Sequence, residues 1–312
     1  MKPLVSVIMP SFNAEKYIEE AIDSILHQTY NNLELVIVED KSTDETLNII
    51  KKYKDDRIKL LCNKCNMGIA DSTNRGIRES KGKYIALLDD DDIAEKDRLC
   101  LQVDFLEKHT DIDILGGRTT FIDSNGKIID YSNIPRNNPK YIKSVLLFNC
   151  MDFVNGTAMI RKKFIVENNL YYKNNCYGMQ DYRFYIVSSK VGKISTLSDF
   201  LLRYRIHESS ETEYNFKTYT KERAKVYASF QRYSLWKSGF RLDENELKLI
   251  NKVLAERNGK CDSKQEFEEL YCIFKKILKQ GKTMNIDYYS ELQHLCKVKI
   301  SEQIIRIDEF FE

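Results

Sequence analysis

Four consecutive carboxylates, Asp89, Asp90, Asp91 and Asp92, close the apolar run Tyr84-Ile-Ala-Leu-Leu88. The run reads as a buried strand, so the acids fall at its C-terminal end. Adjacent carboxylates repel one another and lose hydration on burial, which makes such a cluster unfavourable without a counter-charge. An all-oxygen set suits a hard divalent ion, Mn²⁺ or Mg²⁺, and Mg²⁺ usually shares its coordination with substrate phosphates. A solvated acidic turn, capping a helix that begins near Ala94, is the other reading of these four residues.

The elements around the cluster alternate. Leu4 to Met9 is a continuous apolar run, as in a strand covered on both faces, and Pro10-Ser-Phe-Asn13 breaks it. Ile18, Ala21, Ile22, Ile25 and Leu26 follow at helical spacing. Leu33 to Val38 is a second strand, and Ser42 with Glu45 has the form of a capping box ahead of a helix carrying Leu47 and Ile50. Arg57 to Leu61 is a third strand, Gly68 to Ser80 a helix rich in small residues, and Tyr84 to Leu88 the fourth strand. The expected fold class is therefore α/β, a Rossmann-like and mostly parallel central sheet flanked by helices. Ligands bind such sheets at the carboxyl ends of the strands, and the loops starting at Pro10, Glu39, Cys62 and Asp89 share that edge. Past residue 110 the alternation fades. Ile112 to Leu115 reads as a strand, and Asp123-Ser-Asn-Gly126 as the turn of a hairpin. Helices near 141–148 and 181–189 and strands near 193–196 and 200–206 follow, and from about Glu213 the pattern is helical and charged.

Composition narrows the classes. A formal charge of +2 over 312 residues argues against nucleic-acid binding, and 42% hydrophobic residues can build a large core. No apolar stretch approaches the roughly 20 residues that span a bilayer. Met1-Lys-Pro3 leads straight into a strand with no export signal, so a cytoplasmic protein with reduced thiols is expected. Cys62 and Cys65 form one CxxC without the second pair that a zinc site needs.

The order of these pieces resembles the inverting glycosyltransferases of family 2, which have the GT-A fold. The resemblance rests on Val5-Ser-Val-Ile-Met-Pro-Ser-Phe-Asn13, Ser24-Ile-Leu-His-Gln-Thr-Tyr30, Val38-Glu-Asp-Lys-Ser-Thr-Asp44, Asn66-Met-Gly68 with Asn74-Arg-Gly76, and Gly82 to Asp92. Gln180-Asp181 and Tyr204-Arg-Ile-His207 complete it, over residues 4–210. It implies a catalytic domain at 1–212, with a nucleotide-sugar half to about 115 and an acceptor-side half beyond, and a helical extension at 213–312. It also implies a metal-dependent transfer from a nucleotide-diphosphate sugar, a UDP-sugar, to a hydroxyl of a glycan, lipid-linked or protein-linked acceptor. Asp91 and His207 would hold the metal. Asp89 would contact ribose or orient metal-bound water, Asp90 sharing either task. Asp40 would accept the uracil N–H, Pro10 and Asn13 would line the base pocket, and Asn74 and Arg205 would help hold the donor. Asp181 would be the general base, taking the proton of the attacking hydroxyl.

The chain departs from the family pattern in places. Gln180 stands where an acid is usual, Lys41 where Gly is common, and Thr73 where Arg is frequent, with Arg75 a candidate substitute. A non-catalytic nucleotide-sugar-binding partner in a transferase complex is the alternative function, motivated by Gln180. Nucleotidyl transfer would call for a Gly-rich phosphate loop after the first strand, and Pro10-Ser-Phe-Asn13 is not one. Between Lys217 and Arg241 basic and aromatic residues interleave, with Val226, Phe230 and Tyr233 on one helical face. Packing on the catalytic domain, a peripheral membrane contact at the inner face, and a homo-oligomer interface are all compatible with that stretch.

Overall fold

The structure is a computed structural model in which residues 2–148, 153–254 and 259–308 are described. The first apolar run forms β1 (Val5–Ser11), and Val5, Val7, Ile8 and Met9 are fully buried. β2 (Leu33–Glu39) and β4 (Tyr84–Leu87) flank it in parallel, and β3 (Ile58–Cys62) adds in parallel to β2, in the order β3-β2-β1-β4. The connecting helices are α1 (Ile18–Leu26), α2 (Thr46–Lys52) and α3 (Ile69–Glu79). The small residues of α3 have a packing reason. A Cβ added at Gly76 would stand 2.5 Å from Ile8 Cγ2, so the helix lies almost directly on β1.

Beyond β4 the sheet becomes mixed. The next elements are β5 (Ile93–Ala94), α4 (Arg98–Lys108), β6 (Ile114–Ile122), β7 (Ile128–Tyr131) and α5 (Pro139–Val145). A short 3-10 turn at Asn155–Thr157 leads into β8 (Met159–Arg161), α6 (Lys162–Glu167), α7 (Gln180–Val191) and β9 (Ile194–Arg205). β8 is antiparallel to β4 and to β6, whereas β9 runs parallel to β6. The strands expected near 193–196 and 200–206 are thus one strand, β9. The helix expected near Ala94 starts at Arg98, because Ile93 and Ala94 are held as a strand against Arg203 and Leu202. Ser42 and Glu45 form no capping box. The Ser42 hydroxyl accepts from the Asn13 N–H at 3.1 Å, and its own N–H donates to Glu39.

Met1–Asn137 with Phe153–Tyr214 forms one compact unit, and Asn138–Asp152 with Asn215–Glu312 a second. The chain leads through α8 (Glu211–Thr218) to α9 (Thr220–Lys237), α10 (Glu244–Leu254), α11 (Lys264–Thr283) and α12 (Tyr289–Asp308). In the second unit Phe148, Ile250, Leu270, Phe274, Leu292 and Cys296 share one core. The buried positions of α9 are Tyr227, Gln231, Ser234 and Leu235, and Tyr233 of the expected apolar stripe is exposed. The polar choice follows from hydrogen bonding. Tyr227 and Gln231 donate to the Phe148 carbonyl, both at 2.9 Å, and Ser234 donates to that of Leu146 at 2.8 Å. No described helix is long and apolar enough to cross a membrane.

Candidate active site

The four carboxylates at the end of β4 diverge into different tasks. Asp92 is fully buried and its Oδ1 accepts from the Arg205 backbone N–H at 2.8 Å. Asp90 Oδ2 accepts from the Phe12 N–H at 3.0 Å, which ties it to the exit of β1. Asp91 Oδ2 lies 2.8 Å from His207 Nε2, and the other ring nitrogen contacts Ser209 Oγ at 2.9 Å. Asp89 turns into a narrow crevice together with Pro10, Asn155, Tyr172 and Gln180. Burial first, and the charge of Asp91 second, push the Asp89 carboxyl up to about 7. The same two causes raise Asp90 and Asp92 well above the usual carboxylate range. The cluster is short of positive charge.

One cation lies beneath it. Arg98 is fully buried on the first turn of α4 and donates to the Leu87 carbonyl at 2.8 Å and to Gln102 at 3.1 Å. Burial lowers its guanidinium to about 10, with Asp92 and Asp89 acting in the opposite sense. Arg98 belongs to no motif, and only its place nine residues past Asp89 points to it. A second cation, Arg205, is 2% exposed. Its Nε donates to the Asp91 carbonyl at 2.8 Å, its Nη2 to Glu20 at 2.5 Å, and it lies over the Tyr17 ring. It braces the acidic loop from behind instead of facing solvent where phosphates would arrive. Arg203 pairs with Glu95 at the surface.

The other residues expected at the donor are occupied as clasps. Asp40 accepts from Asn63 Nδ2 at 2.6 Å and from the N–H groups of Met67 and Gly68, each at 2.8 Å, so it anchors the loop after β3. One lone pair of its Oδ2 remains. Arg75 braces the same loop through the Cys62 carbonyl and Asn63. Asn13 accepts from the Thr43 N–H at 2.8 Å and joins the first two loops. Asn74 exchanges two hydrogen bonds of 2.9 Å with the backbone of Tyr172. That pair fixes the segment leading to α7, where Asn175, Tyr177 and Gly178 take left-handed backbone conformations. For a tyrosine this is a strained state, held by its surroundings. The segment delivers Gln180 and Asp181 to the first turn of α7, and the Asp181 charge contributes to the rise of Asp89. Lys41 is also left-handed, at φ 66°, which gives the usual glycine there a conformational reason.

The donor set fits a divalent cation. Asp91 Oδ2 and His207 Nε2, which meet at 2.8 Å, would offer it an oxygen and a nitrogen ligand. Among the described residues no three His, Cys, Asp or Glu side chains converge on a common metal position. Phosphate oxygens and water would complete the coordination of such an ion, the usual habit of Mg²⁺.

A parallel half, an acidic strand end in contact with a histidine, and a carboxylate on the first turn of α7 match the arrangement expected of a sugar transferase of the GT-A type. The family model for glycosyl transferase family 2 matches residues 6–167. A Haemophilus influenzae protein described as an uncharacterized glycosyltransferase is 32% identical over 261 residues, 80% of this chain and 79% of that one. The Escherichia coli UDP-Glc:alpha-D-GlcNAc-diphosphoundecaprenol beta-1,3-glucosyltransferase WfgD is 39% identical over 137 residues, 43% of this chain and 54% of that one. A crystal structure of Staphylococcus aureus TarS 1–349 in complex with UDP-GlcNAc superposes with a TM-score of 0.64 at 20% identity, covering 98% of this chain and 91% of that one. The chain belongs to glycosyltransferase family 2, and it is an enzyme of sugar transfer.

Proposed function

We propose that the protein transfers a sugar from a UDP-sugar to a hydroxyl group, with inversion and with a divalent cation, Mn²⁺ or Mg²⁺. The observation that carries this reading is the contact between Asp91 and His207, two metal-ligand types 116 residues apart, beside a crevice that Asp89 and Gln180 line. When bound, the ion offsets the charge that builds on the diphosphate as its bond to the sugar breaks. Asp91 and His207 would hold it, and Arg205 keeps Asp91 in place through its carbonyl. Asp181 accepts the proton of the acceptor hydroxyl as that oxygen forms its bond to the anomeric carbon and the nucleoside diphosphate departs. Gln180 beside it adds no second negative charge, so Asp181 meets less like-charge repulsion than in an acid pair.

The acceptor fits a glycan or a lipid-linked saccharide, on the cytoplasmic side. A lipid-linked acceptor would bring the enzyme to the inner face of the membrane, and the exposed Lys221, Lys225 and Lys237 of α9 favour that contact. The decisive test is Asp181→Asn. It keeps size and hydrogen bonding but cannot take the proton, so Mn²⁺-dependent UDP binding should persist while turnover falls about 10²- to 10⁴-fold. Full activity in this variant would refute Asp181 as the base. Equal UDP affinity with and without EDTA would refute the metal.

A further inference from the structure

The short strand β8 pairs with β4 from Tyr84 to Ala86 and with β6 at Ile114 and Leu115. Where this ladder ends, β4, β6 and the 3-10 turn before β8 diverge, and two side chains of α4 receive their carbonyls. Arg98 Nη2 donates to the Leu87 carbonyl at 2.8 Å and to that of Ala158 at 3.4 Å. Gln102 Nε2 donates to the Thr157 carbonyl at 2.8 Å and to that of Leu115 at 3.1 Å. Gln102 Oε1 accepts from Arg98 Nε at 3.1 Å, and both side chains are fully buried. The turn held in this way carries Asn155, whose Oδ1 accepts from the hydroxyls of Tyr172 at 3.1 Å and Tyr185 at 2.8 Å. Tyr185 lies on α7, the helix whose first turn bears Asp181.

We infer that Gln102, braced by Arg98, is a positioning residue for sugar transfer; the inference rests on the site proposed above. Through Arg98 it grips the end of β4, two residues before Asp89. Through Thr157 it grips the turn that steadies α7. One amide thereby sets the spacing between the acidic strand end and the helix of Asp181. An apolar side chain could fill the same volume, but it would leave the carbonyls of Thr157 and Leu115 unpaired in the interior, and the turn would shift to satisfy them. A displacement of about 1 Å between reacting groups costs about 10²-fold in rate. The bonds of Gln102 go to Thr157, Leu115 and Arg98, not to the loops after β1, β2 and β3 where a nucleotide would sit.

The test uses two variants. Gln102→Met fills the space with a flexible apolar chain. Gln102→Glu still accepts from Arg98, and its carboxylate has no N–H for the two carbonyls. UDP release from the nucleotide sugar that the wild type turns over is measured below the melting transition of each variant. For both, kcat should fall about 10²-fold, with KM and the affinity for UDP with Mn²⁺ within about 3-fold of wild type. The control is Leu106→Ala, equally buried on the same helix. It should lower the melting temperature and leave kcat within about 3-fold, because it removes packing and no polar link. An unchanged kcat in both Gln102 variants overturns the inference, and so does an equal loss of kcat in Leu106→Ala. Asp181→Asn in the same assay judges the proposed site by itself. If it is slow while the Gln102 variants are unimpaired, the positioning role alone is overturned; if it is fully active, both are.

Discussion

Replacing Asn74 by Ala separates two roles for a residue that the family resemblance places at the donor. Asn74 and Tyr172 are each 3% exposed, and two hydrogen bonds of 2.9 Å join them. Without the carboxamide, the N–H and C=O of Tyr172 are left unpaired in the interior. Each such group costs about 1–3 kcal/mol. Water entering the vacated space recovers part of that, so about 3 kcal/mol is expected, all of it local to the segment before α7. Since 1.4 kcal/mol is a factor of ten, amide hydrogen exchange at 171–179 should accelerate about 100-fold. Because the loss is confined to that segment, a global unfolding curve reads it poorly. Exchange followed peptide by peptide is the direct assay. UDP-sugar affinity should fall as well, because Tyr172 and Gln180 lose their settings in the crevice. Unchanged exchange together with a tenfold weaker affinity for UDP itself would refute the clasp and make Asn74 a direct donor ligand.

Arg98→Met should destabilise the first unit by about 3–5 kcal/mol, because Asp92 and Asp89 keep their burial and lose the guanidinium beneath them. Thermal denaturation followed by far-UV circular dichroism checks this, and a loss below about 1 kcal/mol would mean that solvent already compensates the cluster. Lys41→Gly should stabilise by about 0.5–1 kcal/mol, relieving the left-handed backbone less the extra entropy that glycine gives the unfolded chain. No gain in melting temperature would show the Lys41 conformation to be unstrained. Among the thiols, Cys62, Cys65 and Cys272 are exposed, whereas burial pushes Cys261 up to about 11 and Cys296 up to about 12. At pH 8 a disulfide reagent should modify the first three in the native protein and the last two on unfolding alone, since the thiolate is the reactive form. Early labelling of Cys296 would contradict its burial.

The parallel half was legible because β1, β2 and β4 are buried on both faces and the helices on one, so each announces its period. The acidic cluster was legible for the same reason: a strand end can be located, and four carboxylates there stand out. Three features were not. β8 has three residues and the turn carrying Asn155 has three, too few to show any periodicity. Asn74 and Arg205 have the chemistry of ligands, and nothing in their spacing says that Tyr172 and Asp91 have already engaged them. The buried face of α9 runs through Gln231 and Ser234, which a hydrophobic pattern passes over. Their value lies in carbonyls more than 80 residues away.

Those carbonyls belong to the segment 138–152, which leaves the first unit in mid-chain and is completed by residues beyond 214. During synthesis this stretch emerges from the ribosome long before its partners do. Val145, Leu147 and Phe148, nearly fully buried in the finished protein, must wait through more than 60 further residues for α9. At about 5–20 residues per second that is a delay of seconds, within reach of chaperones. The C-terminal helices are therefore no detachable appendage. A chain ending at 214 would present those three side chains to water permanently, and gain or loss of the helical unit in ancestry would have required the interior loop to change in the same step.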